Sequence, residues 1–206
     1  MIVEMEQYIL GSHDSMTYLP VQQWYLKPFK WMAQCQSKTI TEQYNYGVRL
    51  FDLRVRFNDS GDLIFAHGPI TFKGDVYKTL EILNSFPEKV YCRILLESNS
   101  PMKDQDLQEE HFIYFCSSIV ENYSNIKFFG GNRKYDWKKV YDFGEEPILD
   151  DKYSSTTNIF GGEKTSFWAK IDDICPRLYA KLNNHKILKQ GTDKDVLFID
   201  FIGVYE

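Results

Sequence analysis

No long apolar run occurs in this sequence, and nothing approaches the ~20 consecutive apolar residues of a membrane-spanning helix, so no transmembrane segment is expected. Cysteine is sparse and scattered. Cys35, Cys92, Cys116 and Cys175 form no C-x-x-C pair and no metal-ligand spacing. That excludes a zinc-ribbon or thioredoxin-like motif and leaves four buried or half-buried thiols as the expectation. A basic excess is missing too. With 24 Lys and Arg against 29 Asp and Glu, the net charge is −5, a balance that argues against nucleic acid as a partner. It does not argue against an anionic substrate, since one buried arginine can govern a local site. No repeat, low-complexity tract or linker divides the chain, and its 206 residues are read as one domain, 1–206, long enough to bury a sizeable core. The first residues, MIVEMEQYILG, lack the basic start and sustained apolar core of a signal peptide. Cytoplasm is the default location on that reading, with a secreted mature form as the alternative.

What the chain does have is alternation of strand and helix. Val3, Ile9 and Leu10 suggest a first strand ending in GSHDS. VRLFDLRVRF, an NDSGD turn and LIFAH read as a hairpin. Val76, Leu80 and Leu83 stand at helical spacing within 75–86, and VYCRILLE is a nearly continuous apolar run, as in a strand buried on both faces. A helix over 104–122, a strand IKFF, a strand EEPILD, a helix over 163–184 broken or kinked at Pro176, and a last strand VLFIDFIG follow. The pattern implies a parallel α/β sheet, closed or open.

Ligands of such folds sit beyond the C-terminal ends of the strands. Gathered there are His13 and Asp14, Asp52 and Arg54, His67, Glu97, Asp151 and Tyr153, and Asp200. A barrel with only a structural role has no reason to end half its strands in ionisable groups. Aromatics make up 16% of the chain and cluster at 24–31, where Trp24, Tyr25, Phe29 and Trp31 alternate with lysines. Most of these are expected to pack as core. His111, at a polar helix start, and His185, in a lysine-rich loop, read as solvated.

These residues resemble the catalytic X domain of bacterial phosphatidylinositol-specific phospholipase C. GSHDS is similar to the family's GTHDS block, GVRLFDLRVR to its G-x-R-x-F-D-I-R strand, and FAHGP to its H-G-P block. DDKY resembles its D-K-Y segment, FIDFI its late strand with a buried aspartate, and WMAQCQSKTITEQYNYGVR its W-x-x-T-Q helix and the lead-in to the second strand. The likeness is specific over 7–100 and patchy over 101–195. It implies a distorted, incompletely closed TIM-type barrel, shortened relative to typical members.

The activity implied is cleavage of a phosphatidylinositol phosphodiester by the inositol 2-hydroxyl, giving a cyclic inositol phosphate and diacylglycerol. Histidines suit the two proton transfers because their ordinary pKa lies near neutrality. The resemblance makes His13 the base and His67 the acid, with Asp200 orienting His13 and Asp14 partnering His67. Arg54 becomes the phosphate clamp; Asp52 either holds Arg54 or forms an ordinary ion pair with it. Asp151 and Tyr153 are placed against the headgroup, with Arg133 the nearest candidate for an inositol-binding arginine. Trp24 and Trp31, with Lys27 and Lys30 interleaved, fit contact with a membrane surface. Glu97 stands where bacterial relatives carry a lysine and the metal-dependent branch a carboxylate. Asp14, Asp52 and Glu97 would then offer oxygen ligands to calcium. Arg54 would occupy that metal's place, so no cofactor is expected. A metal-dependent phosphodiesterase acting on another headgroup, and a non-catalytic lipid- or glycan-binding barrel, are the competing readings.

Overall fold

The computed structural model describes residues 9–97, 105–132, 175–190 and 196–203. Seven strands form one sheet: β1 (Ile9–Ser12), β2 (Leu50–Phe57), β3 (Leu63–His67), β4 (Ile70–Phe72), β5 (Val90–Leu96), β6 (Ile126–Asn132) and β7 (Val196–Ile199). The parallel order is β7-β1-β2-β5-β6. All eight residues of β2 are buried, which fits a strand covered on both faces. The curled sheet follows a TIM-type, incompletely closed barrel, and β6 and β7 do not pair among the described residues; the expected strand EEPILD lies outside them.

One mismatch of strand length positions the site. β5 occupies one edge of β2 along residues 50–55. On the other edge β1 pairs only with Leu50 and Phe51, because it ends at Ser12. The free remainder of that edge, Val55–Phe57, takes the antiparallel β3 instead. The β3–β4 hairpin therefore extends past the C-terminal end of β1, and it carries His67 there. β4 was not anticipated; three residues, ITF, are too few to show a period.

The helices are α1 (Lys30–Ala33), α2 (Ile40–Asn45), α3 (Val76–Asn84), α4 (Gln105–Asn122) and α5 (Pro176–Gln190), and a 3-10 turn spans Trp24–Phe29. Thr39 and Glu42 form a reciprocal capping box that starts α2. Asp75 Oδ1 accepts from Lys78 N at the start of α3. Pro176 opens α5, where the first helical position needs no backbone donor and proline costs nothing; the stretch 163–174 of the expected helix lies outside the described residues. His185 accordingly lies on α5 and not in a loop, although it is exposed as expected. No helix among the described residues is long and apolar enough to cross a membrane.

The segment 24–31 overturns the core expectation. Trp24 is 78% exposed, Tyr25 58%, Phe29 52% and Trp31 49%. Pro28 lies inside the 3-10 turn, and no residue of that turn is buried. The rings project outward as a shelf.

Candidate active site

Period-two alternation decides which side chains enter the barrel. Gly11 lies opposite Phe198 in the β1–β7 ladder, and two residues further on, just past the ends of both strands, His13 meets Asp200. Asp52 lies opposite Arg93 in the β2–β5 ladder. His13, Asp52, Arg93 and Asp200 thus share one level of the barrel interior, and Arg54 and Glu97 stand above it. Gly11 is required by the level beneath: a Cβ there would sit 2.9 Å from the Phe198 ring.

His13 Nδ1 lies 2.8 Å from Asp200 Oδ1, and both residues are buried. Arg54 Nη2 approaches His13 Nε2 at 2.5 Å. Arginine only donates, so Nε2 is the acceptor and Nδ1 carries the proton that goes to Asp200. Burial first, and the Arg54 charge second, hold the His13 pKa well below its ordinary value. His13 is a neutral imidazole.

His67 has the opposite bias. Its Nδ1 hydrogen is aligned on the Ala33 carbonyl at 2.9 Å. Asp14 Oδ2 lies 2.9 Å from the same nitrogen but outside hydrogen-bond alignment. Burial pulls the ring's pKa down, yet the Asp14 charge outweighs it and the net direction is up. The two rings stand 6.1 Å apart, centroid to centroid, at 76°.

Arg54 sits among three carboxylates. Its Nε is 3.1 Å from Asp52 Oδ2 and 3.9 Å from Asp14 Oδ2, and Nη1 is 3.4 Å from Glu97 Oε1. Burial alone would lower the guanidinium's pKa, but the carboxylates raise it overall. Asp52, with no exposure, also accepts from the Asp14 backbone N–H at 3.1 Å and lies 3.3 Å from Arg93 Nε. Burial works to raise the Asp52 pKa, but Arg93 and Arg54 outweigh it and hold the carboxyl well below the usual range. Asp52 is therefore more than an ordinary ion pair for Arg54; it ties β2, β5 and the turn after β1 together. The three carboxylates that would bind calcium already surround a guanidinium, so they do not form a vacant oxygen cage for a hard cation.

The loops at the strand ends are held by buried polar side chains that the sequence reading missed. Gln36 donates to the His13 and Ile199 carbonyls at 3.2 and 2.9 Å and accepts from Ile202 N at 3.1 Å. Thr17 Oγ1 accepts from Cys35 N and Gln36 N, both at 2.9 Å. Gln43 Nε2 donates to the Ser15 carbonyl at 2.9 Å. Among the described residues the non-glycine positions with positive φ are Asp14 (43°) and Phe201 (51°), each directly following a member of the His13–Asp200 pair. Backbone strain of that kind persists only where surrounding contacts over-determine it, and Gln36 and Thr17 supply such contacts. Gln36→Leu should destabilise the fold by about 2 kcal/mol, since it removes an acceptor from a buried N–H and a donor from each of two carbonyls. Urea unfolding checks this; an unchanged midpoint would refute the bracing role.

The structure thus brings together His13, Asp14, Asp52, Arg54, His67, Glu97 and Asp200. Asp151, Tyr153 and Arg133 lie outside the described residues. Trp24 and Trp31 stand apart from the ionisable cluster, on the exposed shelf that leads into it through Ala33 and Cys35. Arg93 is an addition, and its signal was present: an arginine inside an apolar strand, on the same face as Glu97.

No family model matches the chain. Over 118 residues it is 28% identical to a protein of Listeria monocytogenes named 1-phosphatidylinositol phosphodiesterase, a match covering 57% of this chain and 34% of that protein. The chain therefore spans about a third of the curated relative it matches. Among solved structures, the phosphatidylinositol-specific phospholipase C from Listeria monocytogenes superposes with a TM-score of 0.59 at 18% identity, over 94% of this chain and 87% of that one. A double mutant of the phosphatidylinositol-specific phospholipase C from S. aureus gives 0.65 at 17% identity, over 95% and 85%. At such identities the superpositions speak for the fold alone. By that sequence match and that fold, the chain is similar to the bacterial phosphatidylinositol-specific phospholipases C.

Proposed function

We propose that this chain is a phosphatidylinositol-type phospholipase C that cleaves its substrate by intramolecular attack. His13 Nε2 removes the proton of the inositol 2-hydroxyl; that oxygen attacks phosphorus and the bond to the glycerol oxygen breaks. His67 protonates the departing diacylglycerol, leaving a cyclic inositol phosphate. Asp200 holds His13 in the tautomer that exposes Nε2 and stabilises the imidazolium as it forms. Arg54 leaves His13 for the phosphoryl oxygens, where its planar fork offsets the charge that develops. One observation carries this reading: two imidazoles biased in opposite directions, each beside its own carboxylate, flank a single arginine. A base and an acid are then both in their reactive forms at the same pH.

The shelf of Trp24, Tyr25, Phe29, Trp31 and Met32 supports action at a phospholipid surface. Exposed rings beside lysines suit the headgroup region, and Lys30 Nζ bonds the Tyr18 carbonyl at 2.9 Å, which fixes the shelf to the site's first loop. Arg54 supplies the positive charge that the metal-dependent alternative assigns to calcium, so the reaction proceeds without a metal.

Phospholipid vesicles of several headgroups, with and without EDTA, test the assignment, with products identified by phosphorus NMR. Phosphatidylinositol should be turned over to a cyclic phosphate, the rate unchanged by EDTA and unaided by calcium. Loss of activity with chelator would favour the metal-dependent phosphodiesterase. Binding without turnover of any lipid would favour the non-catalytic barrel.

A further inference from the structure

Cys35 has no part in the proposed reaction, yet it lies at the centre of the site. It is 1% exposed, and its Sγ is 3.8 Å from His67 Nδ1 and 3.9 Å from the Ala33 carbonyl. The donor atoms of Asp14, Cys35 and His67 all lie within 4.8 Å of one another. Asp14 Oδ2 is buried, receives no hydrogen bond, and lies 2.9 Å from His67 Nδ1. We propose that Cys35 Sγ, His67 Nδ1 and Asp14 Oδ2, with the Ala33 carbonyl as a fourth donor, bind a soft or borderline divalent cation of the zinc class, and that its binding switches the site off.

The distances suit that ion. Tetrahedral zinc with bonds of about 2.3 Å to sulfur and about 2.0–2.1 Å to nitrogen or oxygen places its ligands roughly 3.3–3.6 Å from one another. The separations here are 2.9 Å for Nδ1 to Oδ2 and to the Ala33 carbonyl, 3.8 Å for Sγ to Nδ1 and 3.9 Å for Sγ to the Ala33 carbonyl, with Sγ and Oδ2 within 4.8 Å, so the thiol must turn inward to close the set. A thiolate, an imidazole and a carboxylate select zinc, cadmium or cobalt over calcium or magnesium, which take oxygen. The site shares Asp14 Oδ2 with the oxygen set around Arg54, whose Nε stands 3.9 Å from that oxygen, but takes its soft donors from Cys35 and His67. The His67 side chain is 23% exposed, and its rim is the path of entry.

The inhibitory consequence rests on the acid role proposed for His67. A cation on Nδ1 takes up the Asp14 charge and fixes the ring as a ligand, so the ring no longer cycles between cation and neutral form at Nε2. The binding itself does not depend on that role, and its readout needs no turnover.

Titration of the purified protein with cadmium, followed by the ultraviolet thiolate-to-cadmium charge-transfer band, is the primary test. One equivalent should saturate the band in the wild type; Cys35→Ser should abolish it and Cys116→Ser should keep it. A band absent from the wild type, or unaltered in Cys35→Ser, would overturn the site. Should serine not be tolerated at 35, Cys35→Ala takes its place. His67→Ala offers an independent arm, in which cadmium affinity should fall at least about tenfold, since loss of even an outer partner of a metal ligand costs 10–100-fold. Zinc should also inhibit lipid cleavage by the wild type and spare Cys35→Ser, each measured against its own metal-free rate. Equal inhibition of both would overturn the switch while leaving the phospholipase reading intact; an inactive wild type that still binds cadmium would do the reverse.

Discussion

His13→Ala and His67→Ala should each lower turnover about 10²–10⁴-fold, the usual contribution of one positioned proton transfer. The wild-type pH profile should be a bell whose limbs belong to different rings. Burial and Arg54 hold the His13 pKa below the ordinary 6.5, so activity falls on the acid side as the base takes up a proton. Asp14 outweighs burial at His67 and raises its pKa above 6.5, so activity falls on the alkaline side as the acid loses its proton. The two shifts point away from each other, and the optimum should straddle 6.5. His13→Ala should then erase the acid limb and His67→Ala the alkaline limb. Asp14→Asn removes the charge that raises His67, and the alkaline limb should move to lower pH. A loss below tenfold in either alanine variant, or a limb that survives removal of its ring, would contradict the assignment.

The contact between His13 and Asp200 was legible for a physical reason. Alternation along a strand has a strict period, and in a parallel ladder the register carries from one pair to the next. A histidine two residues past Gly11 and an aspartate two past Phe198 therefore had to meet once β1 and β7 paired. β5 was legible because a strand buried on both faces is nearly all apolar, and β2 because the NDSGD turn marks it as the first arm of a hairpin. What escaped was what local pattern cannot encode. The aromatic segment 24–31 has the composition of a core, but its exposure is set by the path of a 3-10 turn containing Pro28. Gln36, Gln43 and Thr17 bear no mark of their task, because a loop glutamine that braces two carbonyls looks like any solvated one until the loop is folded. Cys35 was correctly expected to be buried, and nothing local announced that it would lie between the two histidines' partners.

Arg54 should be the most costly residue to remove, because the fold and the proposed reaction both draw on it. In Arg54→Met, Asp14, Asp52 and Glu97 lose a shared buried cation. Breaking a buried pair from one side typically costs about 3–5 kcal/mol, as the remaining charges stay desolvated without compensation. Arg93 softens the loss at Asp52 alone, being 3.3 Å from Oδ1. Its own pKa is lowered to about 10 by burial, against which the nearby carboxylates work. It therefore remains charged near neutrality. Arg54→Lys keeps the positive charge but gives up the planar fork, so it should fold with a smaller loss of stability. Its turnover should still fall about 10²–10³-fold, the cost of removing one donor from a developing oxyanion. The two variants also differ at His13. Methionine removes the charge that helps depress the His13 pKa, so any residual activity should lose protons' competition at a higher pH: the acid limb moves up. Lysine retains the charge, and the limb should move less. Unfolding midpoints, rates and the position of the acid limb separate the three effects. Turnover of Arg54→Lys within tenfold of wild type, with an unmoved acid limb in Arg54→Met, would show that Arg54 is only a counter-ion of the barrel and that the phosphoryl charge is met by another group.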